Sequence, residues 1–94
     1  MVVVGRDKID AFMRMHADSR KWFEAWLAEA EHANWKSPVE LKAAYPKASI
    51  LPQNRVIFDV KGNDYRMEVA IAYKTGHLAI VRIGTHKEYD SWIR

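Results

Sequence analysis

The spacing of apolar positions changes partway along this chain, and the change divides it into two kinds of structure. Met1-Val2-Val3-Val4 opens as a short apolar, β-branched strand. Between Lys8 and His16, the residues Ile9, Phe12, Met13 and His16 recur at helical spacing. Asp18 or Ser19 can cap a second helix over roughly Arg20 to His32. That helix carries Trp22, Phe23, Trp26, Leu27 and Ala30 on one broad stripe, opposite Lys21, Glu24, Glu29 and Glu31. The stripe reads as core, with Trp22 and Trp26 as packing residues rather than a platform for stacking bases. Ser37-Pro38-Val39-Glu40 is a helix start, with serine at the N-cap, proline at the first helical position and glutamate at the capping-box position. Pro46 stops that helix near Tyr45.

Beyond Pro46 the period falls to two. Ala48 to Leu51 is a short strand and Pro52-Gln53-Asn54 a turn. Arg55 to Lys61 alternates, with Val56, Phe58 and Val60 on one face and Arg55, Ile57, Asp59 and Lys61 on the other. After Gly62-Asn63-Asp64, the stretch Tyr65 to Tyr73 alternates again. It puts Tyr65, Met67, Val69, Ile71 and Tyr73 opposite Arg66, Glu68, Ala70 and Ala72. Thr75-Gly76 turns the chain into a last strand, His77 to Ile83. A strand, then helices, then an antiparallel meander predicts an α+β domain with helices on one face of the sheet. Short turns make the later strands neighbours, so Arg55, Asp59, Lys61, Arg66 and Glu68 gather on the other face.

Composition narrows the picture. Ninety-four residues form one domain, 1–94, and so small a core needs its many aromatics. There is no cysteine, which removes disulfides and thiolate metal sites and favours an intracellular, cytoplasmic setting. Neither a signal peptide nor a membrane-spanning stretch is expected. The net charge of +3 is uneven: residues 1–46 carry seven Lys/Arg and seven Asp/Glu, residues 47–94 eight and five. A basic second half suits an anionic partner, and equally suits a solvated surface with a small excess. His16, His32 and His77 match no metal-ligand spacing, and no glycine-rich phosphate loop occurs, so neither metal nor cofactor is expected.

Chemistry concentrates in Gly84-Thr85-His86-Lys87-Glu88-Tyr89-Asp90, directly after the apolar run Leu78 to Val81. If the chain turns helically after Gly84, His86 and Tyr89 share a face as an acid/base pair at the rim of the sheet.

The element order β-α-α-β-β-β-β at this length, ending in histidine and tyrosine, resembles the RelE superfamily of bacterial toxins. Five segments resemble its HigB family within type II toxin–antitoxin systems. They are Ala33-Asn34-Trp35-Lys36-Ser37-Pro38, Lys42-Ala43-Ala44-Tyr45-Pro46, Asn54-Arg55-Val56-Ile57-Phe58, Lys61-Gly62-Asn63-Asp64-Tyr65-Arg66 and Gly84 to Asp90. The resemblance implies a RelE-like fold and a metal-independent mRNA interferase acting on the translating ribosome. It also implies neutralisation by a HigA-like helix-turn-helix antitoxin, with operator DNA bound only through that complex. Two departures stand out. A histidine occupies the place of the superfamily's sheet-end arginine, and the chain ends at Arg94, where many relatives carry a few more residues.

On this reading His86 is the general acid or base, because an unperturbed imidazole titrates near neutrality; the plain alternative is an exposed histidine capping a helix. Tyr89 orients ribose or phosphate, stacks on a base or joins in proton transfer, or simply closes the sheet edge. Arg66 matches the superfamily's Gly-Tyr-Arg pattern and would clamp phosphate, unless it pairs with Glu68 or Asp64. Lys61 reads equally as a phosphate contact and as an edge lysine that blocks aggregation. Arg55, Arg82 and Lys87 fit RNA positioning or plain solvated charge. Asn63 is a turn residue that also falls beside the RNA. Two competing functions share the fold: a ParE-like toxin of DNA gyrase, and a degenerate module that only engages an antitoxin and DNA.

Overall fold

The computed structural model describes residues 1–92. The chain runs β1 (Val2–Val4), α1 (Arg6–Met15), a short 3-10 turn (Ala17–Ser19), α2 (Arg20–His32), α3 (Pro38–Ala44), β2 (Ser49–Leu51), β3 (Arg55–Val60), β4 (Tyr65–Ala72), β5 (His77–Thr85) and α4 (His86–Trp92). The five strands lie in the order β1-β5-β4-β3-β2. β2 to β5 form the expected antiparallel meander, whereas β1 joins β5 in parallel, through Val2 opposite His77 and Val4 opposite Ala79.

Helices α1, α2 and α3 cover one face. Ile9 and Met13 from α1, Phe23, Trp26 and Ala30 from α2, and Leu41 from α3 meet Val56, Phe58, Val60, Met67, Val69 and Ile71 in one core. Trp26 is 1% exposed and sets its ring edge-on to Phe58, with centroids 5.5 Å apart. The serine cap of α3 forms as its sequence implies: Ser37 Oγ accepts the Glu40 N–H at 3.4 Å, and Glu40 accepts the Lys36 N–H at 3.0 Å. Ser19 sits at the N-cap of α2 but spends its hydroxyl backwards, donating to the His16 carbonyl at 2.6 Å. The α-amino group of Met1 donates to the carbonyls of Ala30 and Ala33 at 2.8 and 2.7 Å. These carbonyls lie at the negative end of α2, where a cation is favoured.

Three local features differ from simple alternation. Glu68 lies opposite Arg82 while Val69 lies opposite Ile80, so Val81 is an extra residue in β5. This bulge lets Ile80 and Ile83 both face the core while Arg82 faces away. Lys61 adopts a left-handed conformation (φ 50°), which ends the period-two pattern of β3. Its side chain therefore reaches Asp18, on the side of the helices, rather than joining Arg55 and Asp59 on the far face. Finally, α4 does not join the other helices: it lies on that far face, where Tyr89 covers Arg66 and Trp92 covers Arg82.

Asp18 ties the loop between α1 and α2 to the β3–β4 turn. It accepts from Tyr65 Oη at 2.7 Å and from Lys61 Nζ at 3.0 Å. The tyrosine hydroxyl, followed by the lysine, holds its carboxyl below the ordinary 3.8. A depressed carboxyl stabilises the fold above the unfolded value and loses that contribution as pH falls through the folded one. Urea midpoints measured through acid pH should therefore decline below about 3.8, and Asp18→Asn should flatten that part of the decline.

Candidate active site

The site is built by a turn and a short helix. Gly84 is buried directly across from Arg66. A Cβ there would stand 2.8 Å from Trp92 Cζ2 and 3.1 Å from Glu88 Cβ. Glycine is thus what lets the chain fold straight back from β5 onto the sheet. Thr85 and Glu88 then cap α4 reciprocally: the Thr85 N–H donates to Glu88 Oε1 at 2.8 Å, and the Glu88 N–H donates to Thr85 Oγ1 at 3.2 Å. Thr-x-x-Glu is a capping signal that sequence reasoning missed, having taken the segment only for its chemistry.

This start places His86 at the first turn of α4. Its N–H donates to the Asp64 carbonyl at 3.2 Å, which docks the helix on the β3–β4 turn. His86 Nδ1 lies 4.0 Å from Asp90 Oδ2, and the imidazole side chain is 49% exposed. The His86 and Tyr89 rings meet edge to face with centroids 6.3 Å apart, so the expected shared face is realised. Tyr89 in turn lies over the Arg66 guanidinium, 5.3 Å from its centroid.

Arg66 is 8% exposed. Its Nε lies 3.3 Å from Asp59 Oδ1, Nη1 donates to the carbonyls of Asn63 at 3.2 Å and Tyr65 at 3.0 Å, and Nη2 donates to Asn63 Oδ1. Its partners are therefore Asp59 and Asn63, not the Glu68 or Asp64 considered from sequence. Of its five N–H groups, one on Nη2 has no partner among these contacts. Asn63 is spent on holding this guanidinium.

Lys61 is brought to the same turn from the opposite side. Its Nζ lies 3.0 Å from Asp18 and 3.3 Å from Asp64, and these carboxylates raise its pKa, Asp18 most. Any phosphate at Lys61 would compete with two anions already present. Arg55 and Arg82 share another carboxylate: Glu68, 5% exposed, accepts from Arg55 at 2.6 Å and from Arg82 Nε at 2.7 Å. Arg82 also lies under the Trp92 ring, 4.6 Å from its centroid. Lys87 is exposed on α4 and forms no ion pair among the described residues. Within those residues no three of His, Asp and Glu converge as a metal site.

The arrangement is thus an exposed imidazole backed by a carboxylate, a phenol ring on its flank, and a fixed cation beneath that ring. A family model described as HigB toxin, the RelE-like toxic component of a toxin–antitoxin system, matches residues 19–92. The chain belongs to the HigB toxin family. It is accordingly a toxin whose counterpart is an antitoxin. No curated protein matches the chain. The family match runs from the 3-10 turn's last residue to Trp92 and so takes in Lys61, Arg66, His86 and Tyr89, though not Asp18. No helix among its described residues is long and apolar enough to cross a membrane.

Seating α4 on Gly84 carries a measurable cost when disturbed. Gly84→Ala forces Trp92 and Glu88 aside, and overpacking of this kind costs about 1–3 kcal/mol. Thermal denaturation should show the melting temperature of the variant falling by roughly 4–8 °C for each kcal/mol lost. An unchanged melting temperature would mean that α4 does not pack on the sheet as described.

Proposed function

We propose that this toxin is a metal-independent endoribonuclease, an mRNA interferase that cuts messenger RNA on the translating ribosome and so halts translation. The observation that carries the reading is the His86–Tyr89–Arg66 stack at the start of α4, with Asp90 behind the imidazole.

RNA contains its own nucleophile. The 2′-OH attacks the neighbouring phosphorus, the bond to the 5′-oxygen breaks, and the products are a 2′,3′-cyclic phosphate and a free 5′-hydroxyl. One proton leaves the 2′-OH and one arrives at the 5′-oxygen. His86 is the group that moves a proton, with Asp90 on its Nδ1 side favouring the ring orientation that offers Nε2 to substrate. Proton transfer from a placed side chain is worth roughly 10²–10⁴-fold. Tyr89 orients the ribose or phosphate beside it. Arg66 supplies fixed positive charge under Tyr89 and one uncommitted N–H, aimed at the charge that develops on the phosphorane. Lys61 acts more through the turn it fastens than by free contact, since its ammonium is already shared by two carboxylates. Arg55, Arg82 and Lys87 provide the surplus charge that holds RNA, with the salt sensitivity expected of phosphate contacts.

The partner is a HigA-like antitoxin with a helix-turn-helix domain, through which the pair reaches operator DNA; the toxin itself acts in the cytoplasm.

Cleavage mapping in a reconstituted translation reaction tests this reading. Wild-type protein should cut mRNA at defined positions only when ribosomes are present. His86→Ala should cut at least about 100-fold more slowly while still binding antitoxin. A folded wild type that makes no cuts would overturn the nuclease assignment and direct attention to a protein target such as gyrase.

A further inference from the structure

The sheet leaves two stretches of strand edge open. Along β3 beyond Ile57, the link Pro46 to Ala48 still lines the edge beside Phe58 and Trp22, which is half-buried where Trp26 is buried. Along β5 the edge is freer. β1 pairs with it only as far as Ala79, and Gly5, in a left-handed conformation (φ 89°), turns the chain out of the edge into α1. From Val81 onward, β5 has no strand on its outer side among the described residues.

The register fixes which groups face that space. Ile71 donates its N–H to the Asn54 carbonyl, so Ile71, Val69, Met67 and Tyr65 bond towards β3, and the residues between them bond towards β5. Glu68 and Arg66 lie opposite Arg82 and Gly84. Those two residues of β5 therefore bond to β4, and Ile83 between them turns its N–H and C=O outwards. Thr85, two residues on, has the same orientation and gives its N–H to Glu88 rather than to β4. A groove of about 360 Å³ follows this edge, lined by Lys8, Ala11, Phe12 and Met15 of α1 and by Val81 to Ile83 of β5. Met15 is 81% exposed, and its flexible thioether can repack on a partner.

We propose that an extended segment of the antitoxin adds a strand here, in line with β1 and hydrogen-bonded to Ile83. The proposal does not rest on the nuclease reading. Alternation along the added strand dictates its chemistry. A residue opposite Ile83 shares the helix-side face and meets Phe12 and Met15, so it is apolar. A residue opposite Arg82 shares the far face. There Glu68 takes only Arg82 Nε, the terminal amino groups of Arg82 have no hydrogen-bond partner among the described residues, and the side chain is 45% exposed. That second residue is therefore acidic. Main-chain bonds supply the affinity, and the two kinds of side-chain contact supply the selectivity. A second copy of the toxin would bring its own Lys8 and Arg82 to the edge, where like charges repel. RNA could use the arginine but would leave the apolar wall and the outward carbonyl of Ile83 unsatisfied.

Two measurements on the toxin and the antitoxin of its own operon test this. The first is amide hydrogen exchange. The Ile83 N–H of the free toxin should exchange quickly, and in the complex it should slow by at least about tenfold. The second is calorimetric titration of variants at Met15, whose exposure lets it change without unfolding the chain. Met15→Glu should weaken antitoxin binding by about tenfold or more, whereas Met15→Leu should bind as wild type does. Neither readout involves RNA cleavage, so the result stands apart from the nuclease assignment. An Ile83 amide that exchanges equally fast in the complex would overturn the proposal, as would Met15→Glu binding at wild-type affinity, since the antitoxin would then dock elsewhere. Protection of Ile83 that rises with toxin concentration alone would assign the edge to a second copy. Protection by ribosomes without antitoxin would assign it to RNA, and either result would also overturn the proposal.

Discussion

The buried carboxylate of Glu68 is the constraint on which the far side of the sheet depends. A charge at 5% exposure is costly to bury unless it is paired. Here one arginine arrives from each neighbouring strand, Arg55 from β3 and Arg82 from β5, so the carboxylate joins three strands on the face opposite the aromatic core. The geometry requires the bulge at Val81, which brings Arg82 opposite Glu68 while leaving Ile80 and Ile83 in the core. With Arg82 held flat by Glu68, Trp92 can rest on it, and with no side chain on Gly84 the helix between them can lie close. The direction of α4, and with it the placing of His86 and Tyr89, follows from an ion triad that touches neither residue.

That arrangement changes what the basic residues of the second half can do. Arg55, Arg82, Arg66 and Lys61 all have carboxylate partners, so they are not free hooks for RNA phosphates. The charge nevertheless survives pairing, because two arginines share one Glu68. Attraction for an anion then comes from a fixed surplus on a rigid face rather than from mobile side chains, which suits stabilisation of charge at a defined point. Lys61 is the exception in sign: two carboxylates share its one ammonium, so the turn near it carries a local negative balance.

Much of this architecture is legible in residue spacing, and the failures have identifiable causes. The period-two runs 55–60 and 65–72 locate β3 and β4, because both strands bury alternate residues in the core. The Ser-Pro-x-Glu start of α3 is equally plain, since capping is local chemistry. Alternation misplaces Lys61 because a left-handed φ at a lysine leaves no sign in hydrophobic pattern. The facing of α4 is hidden for a related reason: its seven residues pack through Arg66 and Arg82, so it shows no apolar stripe to a core. Position on a helical stripe groups Trp22 with Trp26, but it does not reveal where the covering layer ends. His86 and Tyr89 are readable as neighbours from their spacing of three, while the ring-over-guanidinium contact with Arg66 depends on how a helix crosses a strand.

The β3–β4 turn is where the two faces of the sheet meet. From the helical side, Asp18 reaches Lys61 and Tyr65. From the other, Asn63 and Asp59 hold Arg66, and the Asp64 carbonyl takes the His86 N–H. A turn of residues 61–64 with left-handed conformations at both Lys61 and Gly62 would be strained and mobile if left alone. Here it is fastened on both sides by hydrogen bonds to charged groups, which are the stronger kind. Fastening matters because electrostatic help in a reaction depends on groups that need not reorganise as charge develops. The acidic residues Asp18, Asp59 and Asp64 contact the turn or its arginine without adding positive charge. Their contribution is to hold Arg66 and the start of α4 in one geometry, with the imidazole edge to face with Tyr89 and the guanidinium beneath that ring.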